Sequence, residues 1–262
     1  MRQPPGALRS PPGHRPRPLG AAPPPRRPVT LFAFHHAGGS TASFTGWQKA
    51  LGTRAEVVAV PLPAPPRATG GGPAQHDLTS LLTALHERLA PRLTGPHLFY
   101  GHSMGALLAY RLTRLRAARG LRPPLRLIAG AFPAPHLPHP LARVLHLPDE
   151  RLARWLVDVS GVPETLLHHP GHLDRQLALL RRDLRLCAGH RHSGPVVPLP
   201  CPVDTLVGDA DPIVDVADGA AWRLHSAPGH TLRVLSGGHF FPRDDRQAFF
   251  HEIVRLIELA VR

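Results

Sequence analysis

The sequence predicts an α/β fold, a mostly parallel sheet flanked by helices, with a helical insertion late in the chain. Three observations carry that expectation. Short apolar runs alternate with helix-patterned stretches from Val29 to Ala131, at the pitch of βαβ units. The pentapeptide Gly101-His102-Ser103-Met104-Gly105 fits G-x-S-x-G and stands where one of those runs passes into a helix. The alternation then stops between about 133 and 202 and resumes afterwards, as an insertion above the strand ends would make it do.

Taken in order, Val29–Phe34 reads as a buried strand that stops at the Gly-rich turn His35-His36-Ala37-Gly38-Gly39-Ser40, before a helix over about 43–51. Glu56–Val60 is the second strand, followed by a Pro-rich loop to Pro73 and a helix over about 76–93. His97–Tyr100 is the third strand, and Met104, Leu107, Leu108, Leu112 and Leu115 recur at helical spacing behind it. Leu125–Ala131 is the fourth. In the insertion, helices are expected over about 149–159, 164–168 and 173–189, forming a lid whose apolar lining includes Trp155, Leu156, Leu166, Leu167 and Leu180. The sheet resumes at Pro202–Val207, a helix follows at about 216–224, and Thr231–Leu235 is the last strand before a closing helix over about 245–261.

Composition bounds the function. A chain of 262 residues, 42% hydrophobic and 19% charged, has ample material for one core. Its formal charge of +13 invites a nucleic-acid reading, but six arginines and no acid fall within residues 1–28, and the remaining excess is scattered among acids. No nucleic-acid partner is expected; an acidic protein partner fits better. Residues 1–28, which also hold ten of the 33 prolines, are expected to be a disordered arm, and 29–262 one catalytic domain. Cys187 and Cys201 make neither a disulfide framework nor a metal spacing, which fits a reducing cytoplasm. Nineteen histidines form no H-E-x-x-H, so no metal is expected. No run reaches membrane-spanning length, and the N-terminal arginines lack the apolar stretch of a secretory signal.

The chemistry-bearing residues fall in an order with mechanical meaning. The G-x-S-x-G turn is too sharp for side chains on either side of Ser103, so both flanking positions are glycine and the hydroxyl stands above a helix N-terminus. A serine needs a general base and a group that orients the base. No carboxylate follows the fourth strand in Phe132-Pro133-Ala134-Pro135-His136, which leaves Asp209 and Asp211 after the fifth. Asp211, farther beyond the strand end and beside Pro212, is favoured as the orienter; Asp209 is expected to cap its own turn. His239 follows Gly237-Gly238 after the last strand and is the expected base. His102 is expected to lie beneath the turn rather than act as base. The backbone N–H groups of Ala37 and Met104 are the expected oxyanion donors.

Six segments together resemble type II thioesterases, the free-standing editing hydrolases of polyketide and non-ribosomal peptide synthesis. They are Phe34–Ser40, Gly101–Ala106, Ala134-Pro135-His136-Leu137-Pro138, Leu180-Arg181-Arg182-Asp183-Leu184, Gly208–Pro212 and Gly237-Gly238-His239-Phe240-Phe241. The resemblance covers about residues 29–260. It implies the α/β-hydrolase fold, with Ser103 as nucleophile, His239 as base, Asp211 as its orienter, and Ala37 and Met104 as oxyanion donors. It implies no cofactor, since the phosphopantetheine belongs to the substrate. Acyl or peptidyl carrier protein domains are the implied partners of a cytoplasmic monomer. Where the family usually has proline, this chain has His35, and its loop after Leu62-Pro63 reads Ala64-Pro65-Pro66-Arg67. Other readings are a small-molecule ester or acyl-CoA hydrolase, and a catalytically silent binding protein of the same fold.

Overall fold

The computed structural model describes residues 28–63, 77–159 and 161–262. The expected arm at 1–28, apart from Pro28, and the loop containing Ala64-Pro65-Pro66-Arg67 lie outside the described residues. Six strands form one sheet: β1 (Val29–Phe34), β2 (Ala55–Ala59), β3 (His97–His102), β4 (Leu127–Gly130), β5 (Val203–Gly208) and β6 (His230–Leu235). Their order is β2-β1-β3-β4-β5-β6 and every pairing is parallel. The helices are α1 (Trp47–Leu51), α2 (Leu78–Leu89), α3 (Met104–Ala118), α4 (Asp149–Asp158), α5 (Pro170–Ala188), α6 (Val216–Ala220), α7 (Phe241–Asp244) and α8 (Arg246–Val261).

The strand pattern explains the layers. Successive side chains on a strand point to opposite faces, so a strand covered on both sides is apolar throughout. Phe32, Phe34 and Phe99 meet α2, α3 and the insertion on one face. Leu31, Ala33, Leu98 and Tyr100 meet Trp47 of α1 and Phe249, Ile253 and Leu256 of α8 on the other. Burying each of the leucine, isoleucine and phenylalanine side chains contributes about 1.5–3 kcal/mol.

The helices end where local chemistry ends them. Asp77 caps α2, its Oδ1 accepting the N–H groups of Thr79 and Ser80 at 2.7 and 2.8 Å. Three expected helices are shorter than expected. The stretch over 43–51 divides into a 3₁₀ turn (Thr41–Phe44) and α1, separated by Gly46 at φ 80°. The one at 216–224 passes into a 3₁₀ turn (Ala221–His225), as does the end of α2 at Ala90–Arg92, where Pro91 follows. Likewise β4 stops before Ala131, which takes φ 50° and cannot continue a strand. Among its described residues the insertion holds no strand, only an isolated bridge between Leu199 and Ser226. In it, α4, α5 and a 3₁₀ turn (Glu164–His168) stand close to their expected positions.

From β1 the chain crosses to β2 on one side and then to β3 on the other. Such a reversal leaves a crevice between the C-terminal ends of β1 and β3, where open parallel sheets bind their ligands. Ala37 follows β1 and Ser103 follows β3.

Candidate active site

Ser103 makes the turn between β3 and α3 alone, at φ 54° and ψ −120°. A residue with a Cβ keeps such a conformation only where its surroundings over-determine it. Here they do. A Cβ on Gly101 would lie 2.2 Å from the Gly105 carbonyl oxygen, and one on Gly105 only 2.0 Å from the Phe34 carbonyl oxygen. The first glycine lets the strand fold back over the helix; the second lets the helix press against the end of β1. The Ser103 N–H donates to the Gly130 carbonyl at 2.7 Å, fixing the turn from the β4 side. Met104 N–H opens α3 and is one of the donors a helix leaves without an intrahelical acceptor.

The loops after β5 and β6 cross at glycines as well. A Cβ on Gly208 would sit 2.4 Å from the carbonyl oxygens of Gly237 and Gly238. The Ala210 N–H donates to the Gly237 carbonyl at 3.0 Å. Asp209 does not cap its own turn as expected: its Oδ1 accepts the Gly237 N–H at 2.9 Å and latches one loop to the other. The latch brings Asp211 to His239, with His239 Nδ1 2.9 Å from Oδ2 and 3.1 Å from Oδ1. Asp211 Oδ1 also accepts the N–H groups of Ile213 and Val214, at 2.8 and 3.2 Å, which hold the carboxylate still. A carboxylate only accepts, so the proton of this bond sits on His239 Nδ1, the tautomer that leaves Nε2 of a neutral ring as the acceptor.

His102 supports that loop from below. Its Nε2 donates to the His239 carbonyl at 2.9 Å, and the Tyr100 hydroxyl donates to its Nδ1 at 3.0 Å. Burial, with His239 and His36 nearby, pushes its pKa well below the usual histidine range, so it stays neutral. It is a strut, as expected, and not a base.

Ser103, His239 and Ala37 face one cavity. Its far wall is the insertion: Trp155, Leu156 and Val159 from α4 and its end, Leu180 and Leu184 from α5. Leu166 and Leu167, expected in this wall, are absent from it; they sit on the 3₁₀ turn, and Leu167 packs against the main core instead. Six wall residues were not anticipated: His36, Leu141, Val159, Leu184, Ile213 and Phe240. The His36 ring packs edge-on to Phe240 at 4.9 Å, and burial, then Arg243, lowers its pKa to about 3. The space open to water centres is about 20 Å³, room for one water. Clefts of about 320 and 390 Å³ open elsewhere, but none of the trio lines them, so chemistry rather than size locates the site.

Cys187 and Cys201 are both free and buried. Among the described residues no group of three or more His, Cys, Asp or Glu is placed to hold a metal ion, and no helix is long and apolar enough to cross a membrane.

The Thioesterase domain family model matches residues 29–259. The chain is 34% identical over 223 residues to LgrE of Brevibacillus parabrevis, covering 84% of each; that relative is named a linear gramicidin dehydrogenase, a chemistry different from the family's. Among solved structures it resembles RedJ, a thioesterase from the prodiginine biosynthetic pathway in Streptomyces coelicolor, with 33% identity, TM-score 0.78 and 91% of each chain covered. It also resembles YbtT, a type II thioesterase from the yersiniabactin NRPS/PKS biosynthetic pathway, with 29% identity, TM-score 0.75, and 93% of this chain and 98% of that one covered. The chain is an α/β-hydrolase-fold enzyme of the serine hydrolase class. It belongs to the thioesterase family.

Proposed function

We propose that the chain hydrolyses acyl thioesters from the phosphopantetheine arm of carrier proteins, with Ser103 as nucleophile, His239 as base and Asp211 as its orienter. The observation that carries this reading is the Asp211–His239 pair, set with a strained Ser103 on one cavity roofed by α4 and α5. His239 Nε2 takes the Ser103 proton as Oγ attacks the thioester carbonyl. The tetrahedral oxyanion accepts from the N–H groups of Ala37 and Met104, which become fully used only once charge has developed. The C–S bond breaks, the departing sulfur takes the proton from His239 and leaves as the thiol, and Ser103 carries the acyl group. Water then attacks with its proton going to His239, and the acid leaves as Ser103 regains its hydrogen. A thiolate leaves readily, so protonating the leaving group matters less than in amide hydrolysis.

The cavity has room for about one water, so an acyl chain enters as the side chains that line it give way. The editing role and the carrier-bound substrate are supported by the family and by relatives such as YbtT. The test is a comparison of one acyl group presented on a carrier protein, on coenzyme A and as a simple ester. The expected kcat/KM is highest for the carrier by about tenfold or more, since binding energy from parts remote from the reacting centre raises kcat/KM. A simple ester turned over faster than the carrier-bound form would transfer the enzyme to small-molecule ester hydrolysis.

A further inference from the structure

The insertion and the loop after β1 are joined at Gly38. Asp183, on α5, is completely buried, and its Oδ2 accepts the Gly38 N–H at 2.8 Å. Gln176 lies two turns earlier on the same face of α5, and its side-chain amide donates to the Gly38 carbonyl at 2.8 Å. Both backbone polar groups of one loop residue thus end on the same helix. The contact is close: Gly38 has φ +71°, and a Cβ there would lie 2.9 Å from Gln176 Nε2 and 3.4 Å from Leu180 Cβ. A buried carboxylate persists only where it is paired and hydrogen-bonded. Arg182 supplies the charge, with Nε 2.9 Å from Asp183 Oδ1. No step of the hydrolysis uses Asp183. Yet Leu180 and Leu184, on either side of it, form the wall of the Ser103 cavity, and Ala37 immediately precedes Gly38.

We propose that Asp183 and Gln176 are positioning residues for the oxyanion hole: through Gly38 they fix the direction of the Ala37 N–H, so the hole is complete only while α5 is seated. The proposal rests on the reading of Ala37 as an oxyanion donor. It makes the roof of the acyl pocket part of the catalytic apparatus. An acyl chain that leaves Leu180 and Leu184 in place is hydrolysed fast, and one that lifts α5 disturbs the donor that stabilises its own transition state. Selection among bound acyl groups then appears in kcat rather than KM.

The test uses the full chain with Asp183→Ala, Asp183→Asn and Gln176→Ala, beside Ser103→Ala. Loss of one oxyanion donor lowers kcat by about 10²–10³-fold. Asp183→Ala is expected near the lower end of that range with KM changed by less than about threefold, and Gln176→Ala about tenfold down in kcat. Asp183→Asn, whose amide oxygen can still accept from Gly38, is expected to recover most of the loss. The readout that a merely structural role would not move is the affinity for an acyl boronic acid, which becomes tetrahedral on Ser103. Its Kd should rise by the same factor as kcat/KM falls. If Asp183→Ala fails to fold, the half-buried Gln176→Ala and the isosteric Asp183→Asn carry the same comparison. Wild-type kcat and boronate affinity in folded Asp183→Ala or Gln176→Ala, with Ser103→Ala inactive, would overturn this proposal alone. Full activity in Ser103→Ala would instead overturn the hydrolytic reading beneath it.

Discussion

Gly105 presses its bare Cα against the end of β1, so closely that a Cβ at this position would lie 2.0 Å from the Phe34 carbonyl oxygen. This contact joins the helix that follows Ser103 to the end of the strand that leads into Ala37. Neither partner can yield, because one is a helix backbone and the other a central strand. Gly105→Ala is therefore expected to do more harm than the about 1–3 kcal/mol usual for an overpacked core, giving an insoluble or inactive chain. A soluble Gly105→Ala protein with wild-type melting temperature and activity would contradict the contact.

Asp209 and Asp211 divide two tasks that the sequence left to one choice. Asp211→Asn keeps the shape but removes the charge and lets His239 take the wrong tautomer; a fall in kcat of about 10⁴-fold follows the pattern of serine hydrolase triads. Asp209→Ala removes a hydrogen bond between loops, worth about 1 kcal/mol, and should cost activity far less. Steady-state kinetics on one thioester with both variants checks the division. Equal losses would mean that the latch, not the charge, is what His239 needs.

The sheet, the turn at Ser103 and the meeting of Asp211 with His239 were legible because each rests on a local signal: apolar strand runs, a G-x-S-x-G at a strand–helix junction, and acid and histidine on successive post-strand loops. What escaped was set by tertiary contact. Whether Asp209 capped its own turn or reached Gly237 depended on how two glycine loops cross, which no periodicity encodes. Leu166 and Leu167 look as apolar as Leu180 and Leu184, and only the 3₁₀ turn that carries them turns them from the cavity. Asp183 did leave a trace: it falls on the same face as Leu177, Leu180 and Leu184, all buried, and a lone carboxylate on a buried face asks for a partner. The partner, Gly38, lies 145 positions away and could not be read from spacing.

The Ser103 cavity is closed by side chains that can be trimmed. Leu184 and Trp155 both face the Ser103 cavity. Leu184→Ala and Trp155→Ala should open room for longer acyl chains, and a methylene in such a pocket discriminates by about 1–3 kcal/mol. The ratio of kcat/KM for a long over a short acyl thioester is expected to rise about tenfold or more. An unchanged ratio would place the acyl chain elsewhere.

Buried neutral histidines make the fold acid-sensitive. Burial, first among the causes, lowers the pKa of His36 and His225 to about 3 and of His139 to about 4. The unfolded chain takes up these protons near the ordinary value of about 6.5, the folded one only near 3–4. Between those limits unfolding is accompanied by proton uptake, so stability is complete above about pH 6.5 and falls as pH drops toward 4. The melting temperature should decline continuously over that window, and His225→Gln should flatten the slope. A melting temperature constant from pH 7 to 4.5 would contradict the burial of these rings as neutral bases.

The most direct measurement is mass spectrometry of acetyl- and propionyl-carrier protein after incubation with the wild type and with Ser103→Ala. Loss of both acyl groups in the presence of wild type, and their retention with Ser103→Ala, is the expected result. Intact acyl-carrier with both proteins, beside rapid turnover of a simple ester by the wild type, would contradict carrier-bound thioester hydrolysis by this site.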